Sequence, residues 1–276
     1  MRRRFDRAAA RFDDAAFVHA VTRDGLFARL EPMTREARLV VDLGAATGRA
    51  LEPLAKRFPK AHVVAIDVSG QMARESARRR GWFKKIDVVQ ADARALPLAD
   101  ASVDVVFSNL LLPWIDDPAP LTAEVSRVLA KDGLFAFSTL GPDSLRELGG
   151  AWAGIDDAVH VNRFLDMHDV GDALVRAGLR DPVLDVDRLT VTYEKPDALF
   201  RDLTAAGARN SLSTRAKGLT GRQRFAGFRE RLAPGGGRIA LDLELVYGHC
   251  FGGGERVGDS AVRVDVNSIP IRRSRS

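Results

Sequence analysis

Four polar residues stand at equivalent places in the chain, each closing an apolar run: Asp42, Asp67, Asp92 and Asn109. Val40-Val41-Asp42 leads into Leu43-Gly44-Ala45-Ala46-Thr47-Gly48-Arg49, after which a helical pattern resumes at Ala50-Leu51. This reads as a buried strand breaking into a tight turn that opens a helix. Glycine is wanted at Gly44 and Gly48 where a ligand approaches bare backbone or where φ is positive. About 25 residues after Asp42, the run His62-Val63-Val64-Ala65-Ile66 ends in Asp67. A carboxylate at the tip of the second strand of a βαβ unit is placed to hold ribose hydroxyls. The loop lacks the G-x-G-x-x-G dinucleotide fingerprint. Asp92, closing Asp87-Val88-Val89-Gln90-Ala91, is either an acceptor for an adenine amino group or an aspartate capping its own turn. Backbone beside these tips, at Ala45, Val68, Ala93 and Leu110, would complete such a site. Met72 would face it from the following helix.

The elements that must carry these residues alternate. Strands are expected at 39–43, 62–67, 87–92, 102–109 and 134–139. Helices are expected at 49–58, stopped by Pro59, at 69–80 behind a Ser69 cap, and at 118–130, stopped at Asp132-Gly133. Such alternation argues for an open parallel sheet with helices on both faces, and ligands then bind at the carboxyl ends of the strands. All four polar tips lie there. Residues 5–30 have helical spacing, with Asp13-Asp14 as a cap for the second half; they pack beside the sheet or cover the strand ends. Residues 141–167 break the rhythm. Beyond them, helices are expected at 169–177, 196–206 and 222–232, with strands at 183–193 and 239–247. The last strand should run antiparallel at the sheet edge.

Composition bounds the partners. The chain has 276 residues, 46% hydrophobic, a net charge of +5 and a pI near 9.7. That is ample apolar material for a large core. No apolar run approaches the ~18 residues of a membrane span, and no apolar signal core follows Arg2-Arg3-Arg4. The five histidines show no ligand spacing, so no metal site is expected. The lone Cys250 fits a reducing cytoplasm. Basic residues alternate with acids rather than forming an aromatic-interleaved stripe, which argues against nucleic acid. The denser runs, Arg2-Arg3-Arg4, Arg78-Arg79-Arg80 with Lys84-Lys85, and Arg272-Arg273, are solvated surface or a rim for an acidic protein.

The loop after Asp42 resembles the nucleotide loop of class I S-adenosylmethionine (SAM)-dependent methyltransferases, with Ala46 where Gly is common. The resemblance narrows through Phe5-Asp6-Arg7-Ala8-Ala9-Ala10, Ser108-Asn109-Leu110 with Trp114, Gly141-Pro142-Asp143-Ser144-Leu145-Arg146-Glu147-Leu148 and His160-Val161-Asn162-Arg163-Phe164. Together these resemble the malonyl-acyl-carrier-protein O-methyltransferases of biotin synthesis over residues 5–250. The family usually has Tyr at the place of Phe12, and Gln or His at that of Pro113. The resemblance implies SAM as cofactor, malonyl-loaded acyl carrier protein as substrate, Asp67 on the ribose, Asp92 on the adenine and Gly44 at the methionyl end. An acceptor carboxylate wants an orienting cation. Arg163 and Arg209 are the candidates, with His160 beside them; the alternative for each, and the commoner fate of such residues, is a structural ion pair. The expected architecture is an α/β, mostly parallel, seven-stranded Rossmann-like sheet. An N-terminal helical lid covers 1–38 and the methyltransferase domain 39–250. Caps are inserted at about 141–167 and 194–237, and a disordered tail takes up 251–276. A similar relative, the mitochondrial complex I assembly arginine hydroxylase, keeps the fold with other chemistry. The alternatives are therefore another small-molecule acceptor or a non-methylating protein.

Overall fold

The computed structural model describes residues 1–33, 36–80, 85–156, 158–208 and 221–253. The chain opens with α1 (Arg2–Ala8), a 3₁₀ turn (Ala9–Asp14) and α2 (Phe17–Leu30). The helical spacing over 5–30 is thus realised in two pieces, as the expected second cap implies. Asp13 does not cap the second piece: Ala16 stands at that N-terminus without a side-chain bond. The Asp13 carboxylate is spent elsewhere, on Thr47, Arg49 and Arg79.

The alternating core then follows as β1 (Leu39–Leu43), α3 (Leu51–Arg57), β2 (His62–Asp67), α4 (Gly70–Arg79), β3 (Ile86–Gln90), β4 (Val103–Asn109), α5 (Ala119–Val128) and β5 (Leu129–Leu140). Ser69 caps α4 as expected, its Oγ accepting from Met72 N at 3.2 Å. After β5 come α6 (Arg146–Ala153), α7 (Met167–Arg176), β6 (Arg180–Tyr193), α8 (Pro196–Ala205), α9 (Arg222–Leu232) and β7 (Ile239–Phe251). The seven strands lie in the order β3-β2-β1-β4-β5-β7-β6. The first five pair in parallel; β7 is antiparallel to β5 and to β6.

Two expectations are corrected. The last strand is not at the edge. β7 lies between β5 and β6, and the exposed edge is β6. Alternate residues of β7 are buried (Ile239, Leu241, Leu243, Leu245), the pattern of a strand with a packed face. The expected helix over 118–130 ends at Val128, because Leu129 already pairs with Val103 as the start of β5. The Asp132-Gly133 turn falls within that strand's span, with Asp132 at φ +59°.

Successive residues of the central strands point to opposite faces. Val41, Leu43, Val64 and Phe135 pack on the side of α5 and α7. Val40, Val63 and Phe107 pack against Leu26 and Leu30 of α2 and Leu51 and Leu54 of α3. A third, separate core joins Leu148, Leu199 and Phe228 of α6, α8 and α9 to Ile239 and Leu241 of β7. It stands over the carboxyl-end half of the sheet. Of the segments expected as caps and tail, 209–220 and 254–276 lie outside the described residues, as does Lys84.

Candidate active site

Strand order reverses between β1 and β4, and a cavity of about 340 Å³ opens at the carboxyl ends of those strands. The chain leaves β1 through a turn that leans on β2: Gly44 N and Ala45 N both donate to Ile66 O, at 2.8 and 3.1 Å. Gly44, Ala46 and Gly48 all have positive φ (+77°, +47° and +79°). Glycine meets this without cost, whereas Ala46 carries roughly 1 kcal/mol of strain. Its N–H then donates to Asp67 Oδ2 at 2.9 Å, and Ser69 N donates to Oδ1 at 2.8 Å. Asp67 therefore keeps lone pairs on both oxygens for a ligand. Burial raises its pKa, against those two N–H groups.

Asp42 is buried, and its Oδ2 has no hydrogen-bond partner among the described residues. Burial first and nearby Asp67 second raise its pKa to about 7, with Arg23 opposing. A carboxyl group whose pKa is raised in the folded state stabilises that state below its unfolded pKa, and the contribution is lost as pH rises through the folded value. Relative to Asp42→Asn, the protein should therefore lose stability between pH 4 and pH 8. The loss is on the order of 4 kcal/mol for a shift of this size. Urea unfolding of both proteins at the two pH values measures it; parallel curves would contradict the assignment.

Ala45, Val68, Met72, Ala93 and Leu110 line the cavity with Gly44, Asp42 and Asp67. Gly48 does not: it forms the turn behind the wall, where a side chain would meet Ser76 Oγ at 2.6 Å. Asp92 lines the cavity, but its carboxylate accepts from the N, Nε and Nη2 of Arg94 at 3.0, 3.0 and 2.7 Å. The Arg94 side chain holds its pKa below the usual range. Asn109 also lines it, with its amide divided between Ser138 Oγ (2.7 Å) and His19 O (2.9 Å).

The N-terminal segment contributes what the strand tips do not announce. Asp6 accepts from Ser69 Oγ at 2.6 Å, and Asp13 accepts from Thr47 Oγ1 at 2.7 Å. Two carboxylates thus fasten this segment to the loops after β2 and β1. Phe5, Phe12, Phe17, His19 and Arg23 enter the cavity wall with it. Their one sequence signal was membership of the Phe5–Ala10 motif and its helical continuation through 30; nothing local marks His19.

A second cavity, about 290 Å³, adjoins the first. It is mostly apolar, lined by Trp152, Tyr193, Phe200, Phe225 and Phe228 among others. His160 is on its wall, its Nε2 2.7 Å from Asp156 Oδ1 and its ring stacked on Trp152 at 3.7 Å. Asn162 Nδ2 donates to Pro113 O at 3.3 Å, which joins the cap to the segment after β4. Arg163 is exposed and lines neither cavity. Arg209 lies outside the described residues. Asp166 caps α7, accepting from His168 N at 2.8 Å. Among the described residues there is no His, Cys, Asp or Glu group fit to hold a metal, and no helix long and apolar enough to cross a membrane.

Comparison with known proteins gives this arrangement a family. Residues 41–137 match the methyltransferase domain family. YcgJ from Bacillus subtilis superposes with a TM-score of 0.60 at 14% identity, over 83% of this chain and 98% of its own. Phosphoethanolamine N-methyltransferase 2 of Haemonchus contortus, in complex with S-adenosyl-L-methionine, gives 0.51 at 15%, over 83% and 52%. At such identities these likenesses establish the fold. Sequence relatives go further. The malonyl-[acyl-carrier protein] O-methyltransferase of Halorhodospira halophila is 42% identical over 99% of this chain and 95% of its own length. That of Laribacter hongkongensis is 44% identical over 91% and 88%. The protein therefore belongs to the malonyl-[acyl-carrier protein] O-methyltransferase family, with the class I methyltransferase fold.

Proposed function

We propose that the protein is a SAM-dependent O-methyltransferase that esterifies the free carboxyl of a malonyl thioester carried on acyl carrier protein, a step toward biotin. One observation carries the reading from the site itself. A cavity walled by strand-tip carboxylates, one of them with an orphaned oxygen, meets a second, more apolar cavity at a common wall, the plan of a nucleotide-like donor beside a thioester acceptor.

The residues present fit the cofactor. Asp42 Oδ2 suits the methionyl ammonium, Asp67 the ribose hydroxyls, Gly44 and Ala45 the methionyl backbone, and Asp92 or the Ala93 backbone the adenine. Bound SAM supplies an electrophilic sulfonium methyl group. A malonyl carboxylate is ionised near neutral pH, so the protein needs no general base. Its work is to align the acceptor oxygen and to keep water out. Phe5, Phe12 and Trp114 close the cavity, with Phe5 and Trp114 in edge contact at 5.2 Å. Phe12 has no hydroxyl to lend, and this chemistry does not need one. Asp6 and Asp13 latch the N-terminal segment as the lid. The basic faces of α1 and α4, with Arg2, Arg3, Arg7 and Arg78 exposed, suit an acidic carrier protein. Such a substrate places the activity in the cytoplasm, where the buried Cys250 thiol stays reduced.

Mass spectrometry of malonyl-acyl carrier protein, incubated with this protein and SAM, tests the proposal. One added methyl group is expected, with none on acetyl-acyl carrier protein. Absence of the gain, with SAM binding verified separately, would keep cofactor and fold and discard the acceptor.

A further inference from the structure

The two cavities share four lining residues, Phe17, His19, Leu110 and Trp114. An acceptor in the second cavity reaches a donor in the first across this wall. Phe17 and Leu110 have no polar side-chain atom, and Trp114 offers a single indole N–H. His19 is the wall's titratable side chain.

Its setting is built. The Asn109 amide at the tip of β4 holds its backbone carbonyl at 2.9 Å. Phe12 packs edge-to-face on the ring, 4.9 Å between centroids. Nδ1 is sealed from solvent without a hydrogen-bond partner among the described residues. Nε2, on the other edge of the ring, is not sealed in that way and is the nitrogen free to donate into a cavity. Burial keeps the ring neutral, lowering its pKa to about 4 against the pull of Asp13. An apolar side chain of this size would suit the stability of the fold better, since a buried unsatisfied nitrogen is costly. Histidine here answers to something other than folding.

The acceptor supplies the reason. Among the described residues, no Arg or Lys lines the second cavity. Its other imidazole, His160, is committed to Asp156 and to the Trp152 stack. An anionic acceptor that arrives at the wall therefore meets one uncommitted imidazole, that of His19, beside the Trp114 indole N–H. A neutral donor also suits the chemistry. A guanidinium would grip both carboxylate oxygens and stabilise the ground state, whereas one N–H holds one oxygen and leaves the other free to attack.

We propose that His19 orients the acceptor: its Nε2–H donates to the carboxylate oxygen that does not attack, and sets the attacking oxygen toward the first cavity. This rests on the carboxyl-methyltransferase reading above and names the group that recognises the anion in it.

The test compares wild type with His19→Leu and His19→Gln. Each is assayed for kcat/KM on malonyl-acyl carrier protein, and for its thermal midpoint. Binding of S-adenosylhomocysteine is measured directly. Binding of malonyl- and acetyl-acyl carrier protein is measured with S-adenosylhomocysteine present. For His19→Leu, kcat/KM should fall by about 30-fold or more and malonyl-carrier affinity by about tenfold, the loss of one hydrogen bond to a charged group. S-adenosylhomocysteine and acetyl-carrier affinities should hold within about twofold, and the thermal midpoint should stay or rise. His19→Gln, which keeps an N–H donor, should recover most of the loss. A His19→Leu protein within about threefold of wild type in kcat/KM would overturn the proposal. So would equal losses for malonyl and acetyl carriers, which would mark a role in shape alone. If His19→Leu does not fold, His19→Met is read by the same criteria. A wild type that methylates no malonyl carrier removes the underlying reading and this proposal with it; a wild type that does, beside an unaffected His19→Leu, removes only the proposal.

Discussion

Gly48→Ala should unfold roughly 5–10 °C below wild type and bind SAM at least about tenfold more weakly. Two costs coincide at this position. Its φ is +79°, where an L-residue carries about 1–2 kcal/mol of strain. Its new Cβ would also stand 2.6 Å from Ser76 Oγ, 2.9 Å from Leu51 Cδ1 and 3.0 Å from Ser76 Cα. The last of these is backbone of α4 and cannot rotate away. Overpacking of this kind adds about 1–3 kcal/mol. Relief is possible only if the 44–48 turn lifts off α4. That turn carries the Ala46 N–H bound to Asp67 and the Thr47 hydroxyl bound to Asp13, so the cavity loosens with it. Gly235→Ala is the control: its φ is +63°, with nothing within 4 Å of the added carbon. It should show the strain alone, about 2–4 °C, and no change in SAM affinity. Calorimetric unfolding and titration calorimetry read both quantities. Equal midpoints for the two variants would refute the packing explanation.

Asp67→Ala should raise the dissociation constant for SAM or S-adenosylhomocysteine by at least about tenfold at pH 8. The carboxylate ties the turn after β1 to the cap of α4, through Ala46 N and Ser69 N, and still offers lone pairs to hydroxyl groups. Its removal has a second, opposite consequence. Asp67 is one of the causes that raise the pKa of Asp42. Without it, Asp42 ionises at lower pH, and the loss of stability described above moves to lower pH as well. Affinity and pH dependence thus report separately on the ligand and on the pair of carboxyl groups. Unchanged affinity would place the cofactor outside this cavity.

The strand tips were legible because their signals are local. Each central strand is an apolar run of β-branched residues, and a polar residue at its end is exposed to whatever lies beyond the sheet. Asp42, Asp67, Asp92 and Asn109 therefore fell on one cavity wall, and Ser69 capped α4 as expected. The family-specific segments, Phe5–Ala10 and Gly141–Leu148, were equally plain as strings. Arg163 is the contrast. Its motif was recognisable, yet the residue is exposed and lines neither cavity, because nothing in a short irregular segment reports which side faces the protein.

By itself the sequence determined the order of the elements, the parallel half of the sheet, the polar strand tips that line the carboxyl-end cavity, and the family. Those follow from periodicity and from turn and cap chemistry, which act over a few neighbouring residues. The tertiary structure alone decided that β7 inserts between β5 and β6. That choice is a matter of long-range strand pairing, from Leu134 against Phe251 to Tyr193 against Ile239, to which local periodicity is blind. It likewise decided that Asp13 binds Thr47 and Arg79 rather than capping α2, and that His19 stands where two cavities meet. The Asn109–His19 bond spans 90 positions in the chain and the Asp13–Arg79 pair 66. A contact over such distances exists only once the sheet has brought its strand ends together, and the histidine's neighbours along α2 carry no mark of it.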